Sequence, residues 1–202
     1  MATILTVCTA QVPANVINHF LKESLQGSPY AFDLFCILQA TNQTEVDRNG
    51  TKPDIQDFAS DFQDKTEDEV RHLIHEWIEK NGRSGGISNR WIAVLDSRSM
   101  EDETLLMYYA TKKSYWDETH EQPDADASIP GHARVCEDGY IWWKWRVPFR
   151  FGFYFWNSIT SCGMEALELY CRPEYLRADG SVDMDTCSKI LDGDIEDPMG
   201  RM

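Results

Sequence analysis

The spacing of apolar positions changes several times along the chain, and each change predicts an element. Thr3 to Cys8, "TILTVC", is a β-branched run that predicts a strand, and Pro13 then marks a helix start. Val16, Ile17, Phe20, Leu21 and Leu25 recur at helical spacing until Gly27-Ser28-Pro29 ends the helix. The mostly apolar run from Tyr30 to Thr41 predicts a second, buried strand. Residues 41–65 are polar, acidic and broken at Asn49-Gly50 and Pro53, which predicts a long surface loop with a short helical turn around Ile55 to Phe62.

"TEDEVRHLIHEWIEKNG" predicts the best-marked helix. Thr66 stands as N-cap with Glu69 at the capping-box position, acids fill the first turn, and Asn81-Gly82 is the stop. Val70, Leu73, Ile74, Trp77 and Ile78 form its apolar face. "RWIAVLD" and "TLLMYYAT" predict two strands joined by the loop "SRSMEDE", and residues 112–138 predict a second long loop. Met164 to Cys171 reads as a short helix. Together these elements predict an α/β or α+β sandwich of about five strands and three to four helices, one globular domain over residues 1–182, with residues 183–202 as an acidic, flexible tail.

The densest segment is Asp138 to Ser158, "DGYIWWKWRVPFRFGFYFWNS". Ten of the chain's 24 aromatic residues lie between Tyr140 and Trp156. In a strand over Tyr140 to Val147, Ile141, Trp143, Trp145 and Val147 share one face and predict core. Tyr140, Trp142, Lys144 and Arg146 share the other, where rings and long stems with polar tips suit a partly open face or a pocket floor. After Pro148, "FRFGFYFW" fits a strand by propensity and a helix by the stripe Phe149, Gly152, Phe153, Trp156, and periodicity does not choose between them.

Charge and cysteines narrow the class. The formal net charge is −15, from 34 acids and 19 bases, which argues against a nucleic-acid partner because such affinity comes from Lys and Arg on phosphates. Gly139 to Asn157 is the contrast, with three bases and no acid. The N-terminus lacks the basic and long apolar regions of a secretory signal, and no apolar run approaches the ~20 residues of a membrane span. A cytoplasmic protein is therefore expected, without membrane association. Six cysteines, at positions 8, 36, 136, 162, 171 and 187, include no C-x-x-C pair and are expected as reduced structural thiols.

Candidate chemistry is sparse. His72, His75 and Glu76 share one side of a helix, but in an order that matches no zinc-hydrolase motif, so a solvated face is the expectation. His120 and His132 lie in the acidic part of the second long loop, where a specific cation site is not expected. Cys162 precedes a helix start, which would activate a thiol, yet no base partner can be assigned to it. The loop after the buried strand, with Asp96, Arg98, Glu101 and Asp102, sits where sheet proteins often carry function, although an Arg98 to carboxylate pair would only shape it.

Five stretches, "ILTVCT", "DFQDKTEDEVRHLI", "WIAVLDSRSMEDETLLMYY", "WKWRVPFRFG" and "SITSCGMEALELYCRPEYLRADGSV", resemble an uncharacterised family of bacterial and fungal proteins, a domain of unknown function. The resemblance spans most of residues 3–182 and implies a helix for Phe149 to Ser158. The chain departs from that pattern at Cys162-Gly163-Met164 and in its loop at 111–138. No activity comes with the resemblance.

The function expected is a non-catalytic binding or protein-interaction module, for an unknown small molecule or protein, with Tyr140, Trp142 and Lys144 as its surface and a homodimer over the Trp142 face as one form. The alternative is a cofactor-independent lyase, isomerase or hydrolase, with Asp96 or Asp102 as general base and Arg98 or Arg146 as anion clamp. Neither requires a metal or cofactor.

Overall fold

A computed structural model describes residues 2–26, 28–81, 85–119 and 133–200. It is an α/β protein built on one mixed sheet. Among the described residues it has six strands, β1 (Thr3–Cys8), β2 (Phe35–Ile37), β3 (Ile87–Leu95), β4 (Thr104–Lys112), β5 (Ala133–Val135) and β6 (Tyr140–Pro148), in the order β2-β1-β3-β4-β6-β5. β1 runs parallel to both β2 and β3, and the pairs β3–β4, β4–β6 and β5–β6 are antiparallel. All six residues of β1 are buried, as expected for a parallel strand covered on both faces.

Among the described residues seven α-helices accompany the sheet: α1 (Ala14–Glu23), α2 (Glu67–Asn81), α3 (Ser99–Asp102), α4 (Lys113–Thr119), α5 (Gly152–Cys162), α6 (Met164–Cys171) and α7 (Met184–Leu191). On one face, α1, α5, α6 and α7, with Trp116 of α4, pack on Ile4, Trp91, Ala93, Met107, Trp143 and Trp145. On the other, α2 and the buried Phe62 pack on Leu5, Val7, Ile92, Val94, Tyr108 and Trp142. The strand and helix counts exceed those read from the sequence. β5, α3, α4 and α7 were not marked there, because each is short: α3 falls in the stretch read as the connecting loop "SRSMEDE", α4 and β5 in the second long loop, and α7 in the acidic tail.

Local signals explain where helices begin. The α2 capping box forms as expected: the Thr66 amide donates to Glu69 Oε2 (2.8 Å) and the Glu69 amide to Thr66 Oγ1 (3.3 Å). α1 follows Pro13, and its first amide, that of Ala14, donates to Asp57 Oδ1 (2.6 Å) across the 41–65 loop. Pro148 ends β6, a 3-10 turn spans Phe149–Phe151, and α5 follows, so the "FRFGFYFW" segment is helical despite its β propensity. Burial decides this: the helical stripe lets Phe149, Phe153 and Trp156 enter the core on the α1 side.

The 41–65 segment is a loop without the expected helical turn, and it is tied down along its length. The Thr51 amide donates to the Phe35 carbonyl (2.8 Å), and Ser60 Oγ donates to the Cys8 carbonyl (2.7 Å). Asn18 exchanges two hydrogen bonds with the Ile55 backbone. Residues 183–200, expected as an acidic tail, include α7, whose Met184 and Cys187 are fully buried, and Asp197 beyond it pairs with Arg172 at 2.5 Å.

Gly50 is the pivot of the long loop. Its φ is +89°, and a Cβ there would stand 1.9 Å from the Asp33 carbonyl oxygen. Gly50→Ala is expected to lower stability by more than about 1 kcal/mol, seen as a lower urea midpoint at unchanged slope. An unaltered midpoint would show that the loop's fit against Asp33 contributes nothing.

Candidate functional site

Two clefts stand near opposite ends of the central strands. The first gathers most of the charged residues singled out in the sequence. β3 ends at Leu95, β4 begins at Thr104, and Arg146 lies near the end of the antiparallel β6, so Asp96, Thr104 and Arg146 converge. Arg146, buried, donates from Nη1 to Asp96 Oδ1 (3.2 Å) and to Thr104 Oγ1 (2.9 Å), and its Nη2 pairs with Asp96 Oδ2. Asp96 Oδ1 also accepts the Ser99 amide (3.1 Å), which shapes the first turn of α3. Arg98 grips Asp102 Oδ2 through Nε (3.1 Å) and Nη2 (2.6 Å) and donates to the Asp179 carbonyl (3.0 Å). A polar cleft of about 410 Å³ opens over this cluster, lined by Glu67, Asp96, Arg98, Lys144 and Arg146 among others.

The electrostatics of the cluster favour a fixed charge pattern over proton transfer. Burial works to raise the Asp96 pKa, but the Arg146 guanidinium and the Ser99 amide and hydroxyl outweigh it and leave the carboxyl below its ordinary value. A carboxylate so held is a weak base at neutral pH. Arg98 is pushed further into its charged form, first by its hydrogen bonds to Asp102. Every carboxylate and guanidinium proposed as base or clamp thus already has an intramolecular partner.

The face of β6 carrying Tyr140, Trp142, Lys144 and Arg146 is only partly open: Lys144 is exposed and, with Arg146, lines the polar cleft, whereas Trp142 is covered. α2 roofs Trp142. Trp142 is 2% exposed, with its Nε1 donating to Asp138 Oδ2 (3.0 Å), the Arg71 guanidinium 5.4 Å over its ring and the His75 ring 5.5 Å away. Lys144 pairs with Glu67 at the start of α2, and Tyr140, half-buried, abuts His75. The polar tips of this strand serve partners within the fold, on α2 for Lys144, in the preceding turn for Trp142 and at the ends of β3 and β4 for Arg146, which strand alternation cannot distinguish from an exposed face.

Other candidates from the sequence are quiet. His75 packs on Trp142 and does not share a solvated face with His72, while His72 Nε2 lies 3.4 Å from Glu76. Burial lowers the His75 pKa, against the opposing pull of Asp138 and Glu79. Cys162 ends α5, and burial, then Glu165 and Asp192, raise its thiol pKa, the reverse of activation. Cys8, Cys36, Cys171 and Cys187 are buried, with thiols pushed up to about 12, mainly by desolvation. Among the described residues no group of three or more His, Cys, Asp or Glu is placed to hold a metal. His120 and His132 lie outside the described residues. At the carboxyl ends of β1 and β2, where α/β sheets commonly take ligands, the chain itself crosses: Ser60 Oγ and the Asp64 amide donate to the Cys8 and Thr9 carbonyls, and the Asp61 amide to that of Gln39.

The second cleft was not read from the sequence. Trp91 of β3, Tyr109 of β4 and Trp143 of β6 are cross-strand partners in one row of the sheet. Their rings follow one another at 4.7 Å and 5.9 Å between centroids, and Trp116 of α4 extends the row at 5.5 Å from Trp143. Between this row and the α5–α6 junction lies a cleft of about 860 Å³, lined further by Trp156, Ile159, Leu167, Met164, Thr160 and Ser161. Trp91, Trp116, Trp143 and Trp156 are all buried, while Tyr115, Arg90, Asn157 and Thr160 are exposed around it. A sequence signal existed in the alternation of β3 and β4, but the rings align only once the register is known. No family model, curated protein or solved structure matches the chain.

The charged cluster yields two expectations. Arg146→Met is expected to destabilise the protein by about 2–3 kcal/mol because it strands a half-buried carboxylate, while Asp96→Ala/Arg146→Met together cost less than the two single changes summed. Denaturant unfolding of the four forms measures both. Because the folded-state pKa of Asp96 is depressed, its contribution is complete above the unfolded-state value of about 3.9 and is lost as pH falls through the lower folded value. Asp96→Asn should flatten the acid limb of stability against pH, and an unchanged limb would contradict this assignment.

Proposed function

We propose that this chain is a non-catalytic binding protein whose ligand is a small molecule with a planar, apolar body, held in the cleft between the aromatic row and the α5–α6 junction. The observation that carries this is the row itself: Trp91, Tyr109, Trp143 and Trp116 line one concave space of about 860 Å³, within the range that encloses small ligands. Aromatic walls favour planar ligands because offset and edge contacts between rings add to the gain from area burial. A floor set on three paired strands is also rigid, so little ordering cost falls on binding.

The contact between Asp96 and Arg146 beside a polar cleft supports a second reading, an enzyme using a carboxylate base and an arginine clamp. The depressed Asp96 pKa and the commitment of Arg98 to Asp102 weigh against it, since both groups would have to leave strong partners to act. The binding reading needs no such rearrangement.

A thermal-shift titration with 2-naphthamide tests the proposal. At ten times its Kd a ligand confined to the native state adds about 1.4 kcal/mol, or roughly 3–6 °C in a domain of this size. Thr160→Trp, at an exposed position lining the cleft, should leave the unliganded protein folded and remove the shift. A shift of equal size in Thr160→Trp would place binding elsewhere, and no shift in either form would count against the cleft.

A further inference from the structure

We infer that the aromatic cleft selects planar aromatic anions, with a carboxylate as the ligand's charged group and Arg90 as its recognition residue. This rests on the binding reading above and specifies the ligand's charge. Arg90 lies on β3 one residue before Trp91, so strand alternation turns it away from the row while keeping it beside the cleft that both residues line. Among the described residues its guanidinium has neither a hydrogen-bond nor an ion-pair partner, unlike Arg71, Arg98, Arg146, Arg150, Arg172 and Arg177, which all hold carboxylates. An unpaired guanidinium is a set of donors in a planar fork suited to a carboxylate.

The rest of the lining agrees in sign. Acids make up 34 of the chain's 202 residues, yet none of the described residues lining this cleft is acidic. In a protein of net charge −15 that leaves the described lining of the cleft with one cation and no fixed negative charge to meet an anion. A quaternary ammonium, the usual guest of aromatic cages, would instead meet Arg90 with no carboxylate among the described lining residues to offset the repulsion.

Isothermal titration of the full chain with 2-naphthoate, 2-naphthamide and 2-naphthylmethylammonium reads the selectivity, since the three probes share a ring system and differ in charge. 2-Naphthoate is expected to bind about tenfold tighter than 2-naphthamide, and the ammonium to bind weakest. Arg90→Gln, at an exposed position, should bring the 2-naphthoate affinity down to that of 2-naphthamide while leaving the latter unchanged. Should 2-naphthamide match 2-naphthoate in the native protein, or Arg90→Gln leave their ratio intact, the anion assignment falls and the cleft stands. If none of the three binds, or if Thr160→Trp binds them all undiminished, the cleft reading falls and the anion assignment with it.

Discussion

The nine-position antiparallel ladder between β4 and β6, from Thr104 opposite Pro148 to Lys112 opposite Tyr140, is the constraint on which both clefts depend. Side chains alternate along it with a period of two, so a shift of one residue would move every ring to the opposite face. In the observed register Tyr109 meets Trp143, and β3 brings Trp91 opposite Tyr109. The same register sets Arg146 two positions from Pro148, where its guanidinium meets Thr104 and the Asp96 carboxylate beyond β3. One pairing thus produces an aromatic wall towards one end of the strands and a charge cluster at the other.

The two faces of β6 are satisfied by different means. Ile141, Trp143, Trp145 and Val147 bury apolar surface against α4, α5 and α6. Trp142, Lys144 and Arg146 instead give their polar tips to Asp138, Glu67 and Asp96. Buried donors cost free energy unless they are paired, so the acids that meet this strand do the same work that apolar packing does on the other side. Asp68 does the same for the buried Arg71 of α2.

Function on this scaffold then depends on what is left unpaired. The charge cluster is internally complete, which suits it to hold α3 and the strand ends in place. The aromatic cleft keeps open volume and, among the described residues, an unpartnered guanidinium. Groups without partners inside the fold are the ones with free energy to offer a ligand, and this separates the two clefts more clearly than size.

By itself the sequence determined a mixed class, α/β or α+β, the capped helix α2, the strands β1, β3, β4 and β6, helix α6, and the proximity of Asp96 to Arg98 and Asp102. These follow from local periodicity and short-range pairs. Burial also agreed for Trp143 and Trp145, because their face of β6 is wholly apolar. Only the tertiary structure decided that Trp142 lies under α2, that residues 41–65 cross the carboxyl ends of β1 and β2, and that Met184 and Cys187 join the core. It alone brought Asp96 to Arg146, fifty residues apart in the chain, and Trp91 into line with Tyr109 and Trp143. The physical reason is that strand alternation assigns a residue to a face, whereas the element covering that face and the register joining it to its neighbours come from pairing between distant segments.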